Sequence, residues 1–244
     1  MTPPPSSPLP EPLPEIPLTL LATSDVHGPL LSYDYFADCP AALPSLARLA
    51  TVLRRERADA LNSLYFDNGD IVQGTAPADL FPDMPGTDAL CHPSIEALNL
   101  LRPDAASVGN HEFNLDLSDL SRAFGDATFP LVCANLHPTP NAPATLCDLW
   151  QESVILERDL TDTTGTTHRL KIGVFGVLPP QVVLWDHSRI GEALNAEDIL
   201  TAAPRAIARL RKDGADLVIA LAHTGLDTTP QRANMENAGF HLAA

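Results

Sequence analysis

Long apolar runs are missing from this chain. No stretch of about 18 apolar residues occurs, so a membrane-spanning helix is not expected. Basic residues are also scarce, 15 against 31 acidic ones in 244 residues. The resulting net charge of −16 argues against a nucleic-acid polymer as partner. It does not argue against a small phosphate ester, because a bound cation inverts the local field. Cys-x-x-Cys spacing is absent. Cys39, Cys91, Cys133 and Cys147 therefore read as buried thiols rather than a zinc knot or disulfide scaffold, and a Cys133–Cys147 pair stays open. Aromatic residues make up 5%, too few for an aromatic-rich binding face. Residues 1–17 hold neither a basic segment nor an apolar segment of the secretory kind. Localisation is thus open between the cytoplasm and a compartment reached through a leader outside this sequence.

Proline is plentiful, 24 in all, and eight lie in the first 17 residues. That stretch reads as a flexible, partly polyproline tail, with a single large domain over 18–244. From there apolar runs of strand length alternate with segments of helical periodicity, which predicts an α/β fold: mixed β-sheets covered by helices. Strands are expected at 17–22, 63–66, 104–108, 130–134, 153–157, 169–177 and 215–221, with 153–157 and 169–177 antiparallel. Helices are expected at 43–57, 92–101, 115–124 and 195–213, and from Pro230 toward Asn237. Asn195 is the expected N-cap of the fourth helix, and Ile199, Ala203, Ile207 and Leu210 its buried face. Residues 30–40, 76–91 and 136–150 read as loops or surface excursions.

Chemistry-bearing side chains gather where strands end. The first strand opens into Asp25-Val26-His27-Gly28. A carboxylate and an imidazole so spaced can close on one metal ion, although an Asp-x-His on its own also reads as a polar loop. The second strand runs into Asp67-Asn68-Gly69-Asp70, where Gly69 permits a tight turn. The third ends in Gly109-Asn110-His111-Glu112-Phe113-Asn114, and the last in Ala222-His223-Thr224-Gly225. Open α/β sheets present ligands at this edge. A set of Asp, His and Asn suits manganese, zinc, iron or cobalt better than calcium, and Asp70 is the carboxylate placed to bridge two cations.

These four motifs, in this order, resemble the calcineurin-like metallophosphoesterases, in the branch of 5′-nucleotidases and 2′,3′-cyclic-nucleotide 2′-phosphodiesterase/3′-nucleotidases. Residues 31–38, Phe175-Gly176-Val177-Leu178-Pro179-Pro180 and Trp185-Asp186-His187 resemble the cyclic-nucleotide members in particular. The resemblance implies a four-layer α/β/β/α sandwich and two divalent metal ions. It implies that Asp25 and His27 bind the first metal, Asp70 bridges, and Asn110 and His223 bind the second. His111 would be no ligand; it would face the phosphate, beside Asn110, and protonate the leaving oxygen. The implied substrate is a small molecule, a nucleoside 2′,3′-cyclic phosphate or a 3′-nucleotide.

Two departures stand out. Many 5′-nucleotidases of this resemblance have an Asp where Asn114 stands, and an amide cannot supply the same charge behind His111. The family's final Gly-His-x-His segment and its C-terminal nucleotide-binding domain have no match here, and His241 lacks a partner histidine two positions away. The expectation is therefore an incomplete, C-terminally truncated metallophosphoesterase domain with weakened metal binding and activity. A 5′-nucleotidase and a non-catalytic remnant stay open as readings.

Overall fold

A computed structural model describes residues 14–84, 86 and 90–244. Strand β1 (Thr19–Thr23) leads to a small hairpin, β2 (Tyr33–Asp34) and β3 (Cys39–Pro40). Helix α1 (Leu46–Asp59), β4 (Ser63–Asp67), α2 (Ala76–Leu80) and α3 (Pro93–Leu101) follow. Next come β5 (Ala105–Ser107), a 3₁₀ turn at His111–Asn114, α4 (Leu117–Phe124), β6 (Leu131–Val132), β7 (Leu136–Pro138) and α5 (Ala144–Cys147). The long hairpin of β8 (Ser153–Thr161) and β9 (Thr167–Val177) runs into α6 (Val182–Trp185) and α7 (His187–Ile190). The chain closes with β10 (Leu194–Ala196), α8 (Ile199–Lys212), β11 (Leu217–Ala222) and α9 (Gly239–Ala243).

Two sheets organise these elements. The first is parallel throughout, in the order β1-β4-β5-β6. The second has the order β11-β9-β8, with β11 parallel and β8 antiparallel to β9. Period-2 alternation decides which side chain meets which layer. Leu64 and Phe66 of β4, Ala105 of β5 and Val132 of β6 meet Ile172 and Val174 of β9 and Leu221 of β11 between the sheets. The opposite face of the parallel sheet, with Tyr65, Ala106 and Leu131, packs on Leu46, Leu53, Leu98 and Leu120 from α1, α3 and α4. Phe175 and Val177 of β9 turn the other way, onto Ile199, Ala203, Ala206 and Leu210 of α8. The result is the α/β/β/α sandwich, helices outside and two sheets within.

Local differences from the sequence reading have local causes. Helix α1 starts three residues later than expected, because Ser45 accepts a hydrogen bond from the Arg48 N–H as N-cap and leaves Pro44 outside. Asn195 is not a cap; it pairs with His137 in the β10–β7 ladder, and Asp198 caps α8 instead. On α8 it is Ala206, with Ile199, Ala203 and Leu210, that faces the core, and Ile207 is left at 37% exposure. Pro204 lies inside α8, which continues past it. No helix forms at Pro230–Asn237; α9 begins only at Gly239. Residues 136–150 are not a plain loop but hold β7 and α5, and residues 76–80 form α2 with Ala78 buried. Of the cysteines only Cys133 is buried; Cys39 and Cys147 are exposed, Cys91 is half-buried, and all four are free. The expectation of a flexible tail falls mainly on residues 1–13, outside the described residues. At its end, Glu15 is pinned: its carbonyl accepts from Thr163 N–H at 2.8 Å. No helix among the described residues is long and apolar enough to cross a membrane.

Candidate metal centre

All four polar clusters converge at the carboxyl edge of the strands. Two of the loops are sewn together by backbone: Asp25 N–H donates to Gly69 C=O at 3.0 Å and His27 N–H to Asp70 C=O at 2.9 Å. Asp25, His27 and Asp70 all adopt left-handed backbone, with φ of 54°, 51° and 61°. Asp and His tolerate that region better than most residues, and strained backbone of this kind gathers at functional sites. Gly69, at φ 94°, lies against the backbone of Gly109, so a Cβ there would collide with the Gly109 nitrogen. Gly109 in turn has Asp70 and the His223 ring where its own Cβ would stand. Both positions require the absence of a side chain.

Asp70 is the centre. Its Oδ1 accepts the His111 backbone N–H at 2.8 Å. Its Oδ2 lies 3.3 Å from His223 Nε2 and 4.0 Å from His27 Nε2. The other nitrogen of each ring is committed: His223 Nδ1 donates to Asn68 C=O and His27 Nδ1 to Gln73 C=O, each at 2.8 Å. A carbonyl only accepts, so Nδ1 carries hydrogen and Nε2 is the atom turned to Asp70. Asn110 Oδ1 lies 3.1 Å from His223 Nε2. Two donor groups result, each with ligand atoms within 4.8 Å of one another: His27, Asp70, His111 and Asp25, Asp70, His223. Asp70 belongs to both. Asp25 thus keeps company with His223, where the resemblance grouped it with His27. His111 lies among the potential donors, its ring set edge-on to His27 at 5.0 Å.

Two carboxylates that sequence reasoning gave no role hold this edge in shape. Glu112 is fully buried and accepts backbone N–H bonds from Asp70, Ile71, Val72 and Gly109, at 2.7, 2.5, 3.3 and 2.6 Å. It ties the outlet of β4 to that of β5. Asp67, also buried, accepts from Thr23 Oγ1 at 2.6 Å and Gly69 N–H at 3.0 Å, binding β1 to β4. Both stand inside the motifs themselves, but position alone does not distinguish a ligand from a brace.

The electrostatics are those of a cluster of buried carboxylates facing two histidines. Burial pushes Asp67 up to about 7 despite its two hydrogen bonds. Burial, then the neighbouring Asp70, raises Glu112 as well. At Asp70 burial favours the neutral acid, but His223 and His111 outweigh it and the carboxyl falls below its ordinary range. Burial likewise disfavours a charged His223, yet the Asp70 carboxylate prevails and lifts the ring to about 9. Among the described residues no lysine or arginine is ion-paired with Asp25, Asp67, Asp70 or Glu112. The donor chemistry suits divalent metal: carboxylate, amide oxygen, and imidazoles oriented by carbonyls behind them. The Asn68 side-chain oxygen is buried without a partner beside them. A cavity of about 400 Å³ opens over the site, lined by Asp25, Asn68, Asn110, His223, Trp185 and Asn237 among others.

Comparison with known proteins agrees with this geometry. The model of the calcineurin-like phosphoesterase family matches residues 18–241. The chain is 36% identical over 229 residues to a 2′,3′-cyclic-nucleotide 2′-phosphodiesterase/3′-nucleotidase of Haemophilus influenzae, covering 94% of this chain and 34% of that protein. It is 36% identical over 234 residues to the trifunctional nucleotide phosphoesterase protein YfkN of Bacillus subtilis, covering 94% of this chain and 16% of that one. The crystal structure of calcineurin-like phosphoesterase YfkN from Bacillus subtilis aligns with a TM-score of 0.85 at 36% identity, over 93% of this chain and 67% of that one. The chain spans about a third or less of the length of these two relatives. The family match over residues 18–241 and the likeness in sequence and fold show that the chain belongs to the calcineurin-like phosphoesterase family.

Proposed function

We propose that this domain hydrolyses nucleoside 2′,3′-cyclic phosphates and 3′-nucleotides with the help of two divalent metal ions. The observation that carries the reading is the Asp70 carboxylate shared by two donor groups at one sheet edge. Similarity to the cyclic-nucleotide phosphodiesterase of Haemophilus influenzae supports the substrate class. Asp25, His27, Asp70, Asn110 and His223 would hold the ions, which supply charge neutralisation at phosphorus and a more acidic water.

The protein's own part is positioning and proton handling. The His27 and His223 rings are held by backbone carbonyls, so their Nε2 atoms need no reorganisation to serve as ligands. His223, whose proton the Asp70 carboxylate holds, would have to give it up to serve as a ligand, which would link metal affinity to pH. His111 stands beside Asp70 and Asn110; with hydrogen on both ring nitrogens it would give the Nε2 proton to the departing oxygen. In a cyclic substrate the water oxygen bonds to phosphorus, the bond from phosphorus to O2′ breaks, and O2′ takes that proton. A 3′-phosphate is left.

The test is product analysis with 2′,3′-cAMP, 3′-AMP and 5′-AMP on protein loaded with Mn²⁺ or Co²⁺. Turnover of the first two, abolished by Asp70→Asn, is expected. Turnover of 5′-AMP alone makes it a 5′-nucleotidase, and equal rates for wild type and Asp70→Asn leave only a binding remnant.

A further inference from the structure

Asn114 stands between two groups of opposite bonding capacity. Its Oδ1 lies 2.7 Å from His111 Nδ1, and its Nδ2 donates to Asp186 Oδ1 at 2.8 Å. Asp186 is 72 residues further along, in the turn between α6 and α7. An ionised carboxylate only accepts, so the amide nitrogen must face Asp186. The amide oxygen is then left for His111, and since it also only accepts, Nδ1 must carry hydrogen. One negative charge on a distant turn thus dictates the tautomer of a ring it does not touch.

We infer that Asp186 is a positioning residue for His111: through Asn114 it fixes the hydrogen on Nδ1 and leaves Nε2 as the nitrogen facing the site. The chain of bonds is braced at both ends. Asp186 C=O accepts N–H bonds from Arg189 and Ile190, each at 2.9 Å, so its backbone is set by α7. Arg189 reaches back to Asp116 at 2.7 Å, clamping α7 to the segment just after Asn114. At the other end the His111 backbone is held by Asp70. The arrangement also explains the amide. With Asp at 114, two carboxylates would meet at hydrogen-bonding distance, beside a site that already holds Asp25, Asp67, Asp70 and Glu112. Placing the charge one residue further out keeps a partner for His111 and spares the repulsion.

Proton donation from Nε2, which needs hydrogen on both ring nitrogens, rests on the phosphoesterase reading; the Nδ1–H that Asn114 fixes does not. The first test is therefore spectroscopic. In ¹⁵N-histidine-labelled, metal-free protein at a pH where His111 is neutral, long-range N–H correlations report the tautomer. Wild type is expected to show Nδ1–H, and Asp186→Ala a mixture, with the amide spectrum unchanged away from α6, α7 and the His111 turn. Asn114→Asp should bring two carboxylates together, and Asn114→Asp/Asp186→Asn should rebuild both bonds with the polarity of the second reversed. With Mn²⁺, Asp186→Ala is expected to lower kcat about 10- to 100-fold, the range for losing an outer partner, with little change in KM. The double variant should recover most of what Asn114→Asp loses. Retention of pure Nδ1–H in Asp186→Ala, or a double variant no better than Asn114→Asp, overturns the inference. An inactive wild type would overturn the phosphoesterase reading, and the tautomer measurement would still decide this one.

Discussion

The site has two unequal halves that share Asp70. Around His223 two of the three donors are buried, with 9% of the His223 side chain exposed and 2% of Asp70, while Asp25 is exposed. Around His27 and His111 the wall is thinner, with 34% of the His27 side chain exposed. His223 comes from the second sheet and closes on the parallel sheet across the interface between them. His27 and His111 both follow strands of the parallel sheet and sit on its rim. The difference teaches where the cost of emptying the site falls. The buried half keeps an imidazole and a carboxylate in contact with little solvent around them, whereas His27 is more exposed and better solvated.

The strongest way to erase the distinction is Asp70→Asn, which removes the shared oxygen charge from both halves. Metal binding should fall below one ion per chain, and turnover should drop by more than the ~100-fold typical of losing an outer partner. Both can be read by metal analysis and by rate on bis(p-nitrophenyl) phosphate. Unchanged stoichiometry would show that the halves are independent sites.

A sharper instrument is the pair His223→Ala and His27→Ala. Each should lose one ion and at least about 10-fold in affinity, with the larger loss for His223, whose side chain is the more buried of the two. Calorimetric titration with Mn²⁺ measures both. Equal losses would mean that burial does not separate the two halves.

Glu112→Gln probes the brace beneath both. A glutamine offers one acceptor oxygen where two now serve four N–H donors, so about 2–3 kcal/mol of stability should go. The urea midpoint of metal-free protein reads this directly, and a change below about 0.5 kcal/mol would demote Glu112 to a bystander.

The smallest effect is on pH. His223 binds its proton more tightly in the folded chain than in the unfolded one, since its value is raised from 6.5 to about 9. Its contribution is full below the unfolded value and is lost as pH rises through the folded one. Metal-free protein should therefore lose stability on the order of 2 kcal/mol between about pH 6.5 and 9, and His223→Gln should flatten that slope. Asp67 acts in the same direction in a lower window, between 3.8 and about 7, because burial raises it. Excess Mn²⁺ should suppress the His223 part, because a ligating ring carries no proton to lose.

Much of this architecture was legible from residues alone. The strand outlets at Asp25, Asp70, Asn110 and His223 were visible because apolar runs of strand length ended in polar groups with a glycine nearby. The antiparallel hairpin of β8 and β9 followed from two apolar runs around a polar turn. What escaped was decided by partners far along the chain. Asn195 has the look of a cap, but β7 claims it as a strand residue. Pro230–Asn237 has helical composition, yet Thr224 bonds to Glu236 and Ala238 and holds the segment open. Glu112 and Asp186 are invisible for a similar reason: a carboxylate that binds backbone or an amide resembles any other acidic residue until its partners are known.

Because Gly69 and Gly109 meet backbone to backbone, no crevice separates the second and third strand outlets. The cavity over the site is rimmed by Trp185 and Asn237. Residues on that rim stand outside the donor groups around Asp70, so they can be exchanged while the chemistry underneath is left untouched.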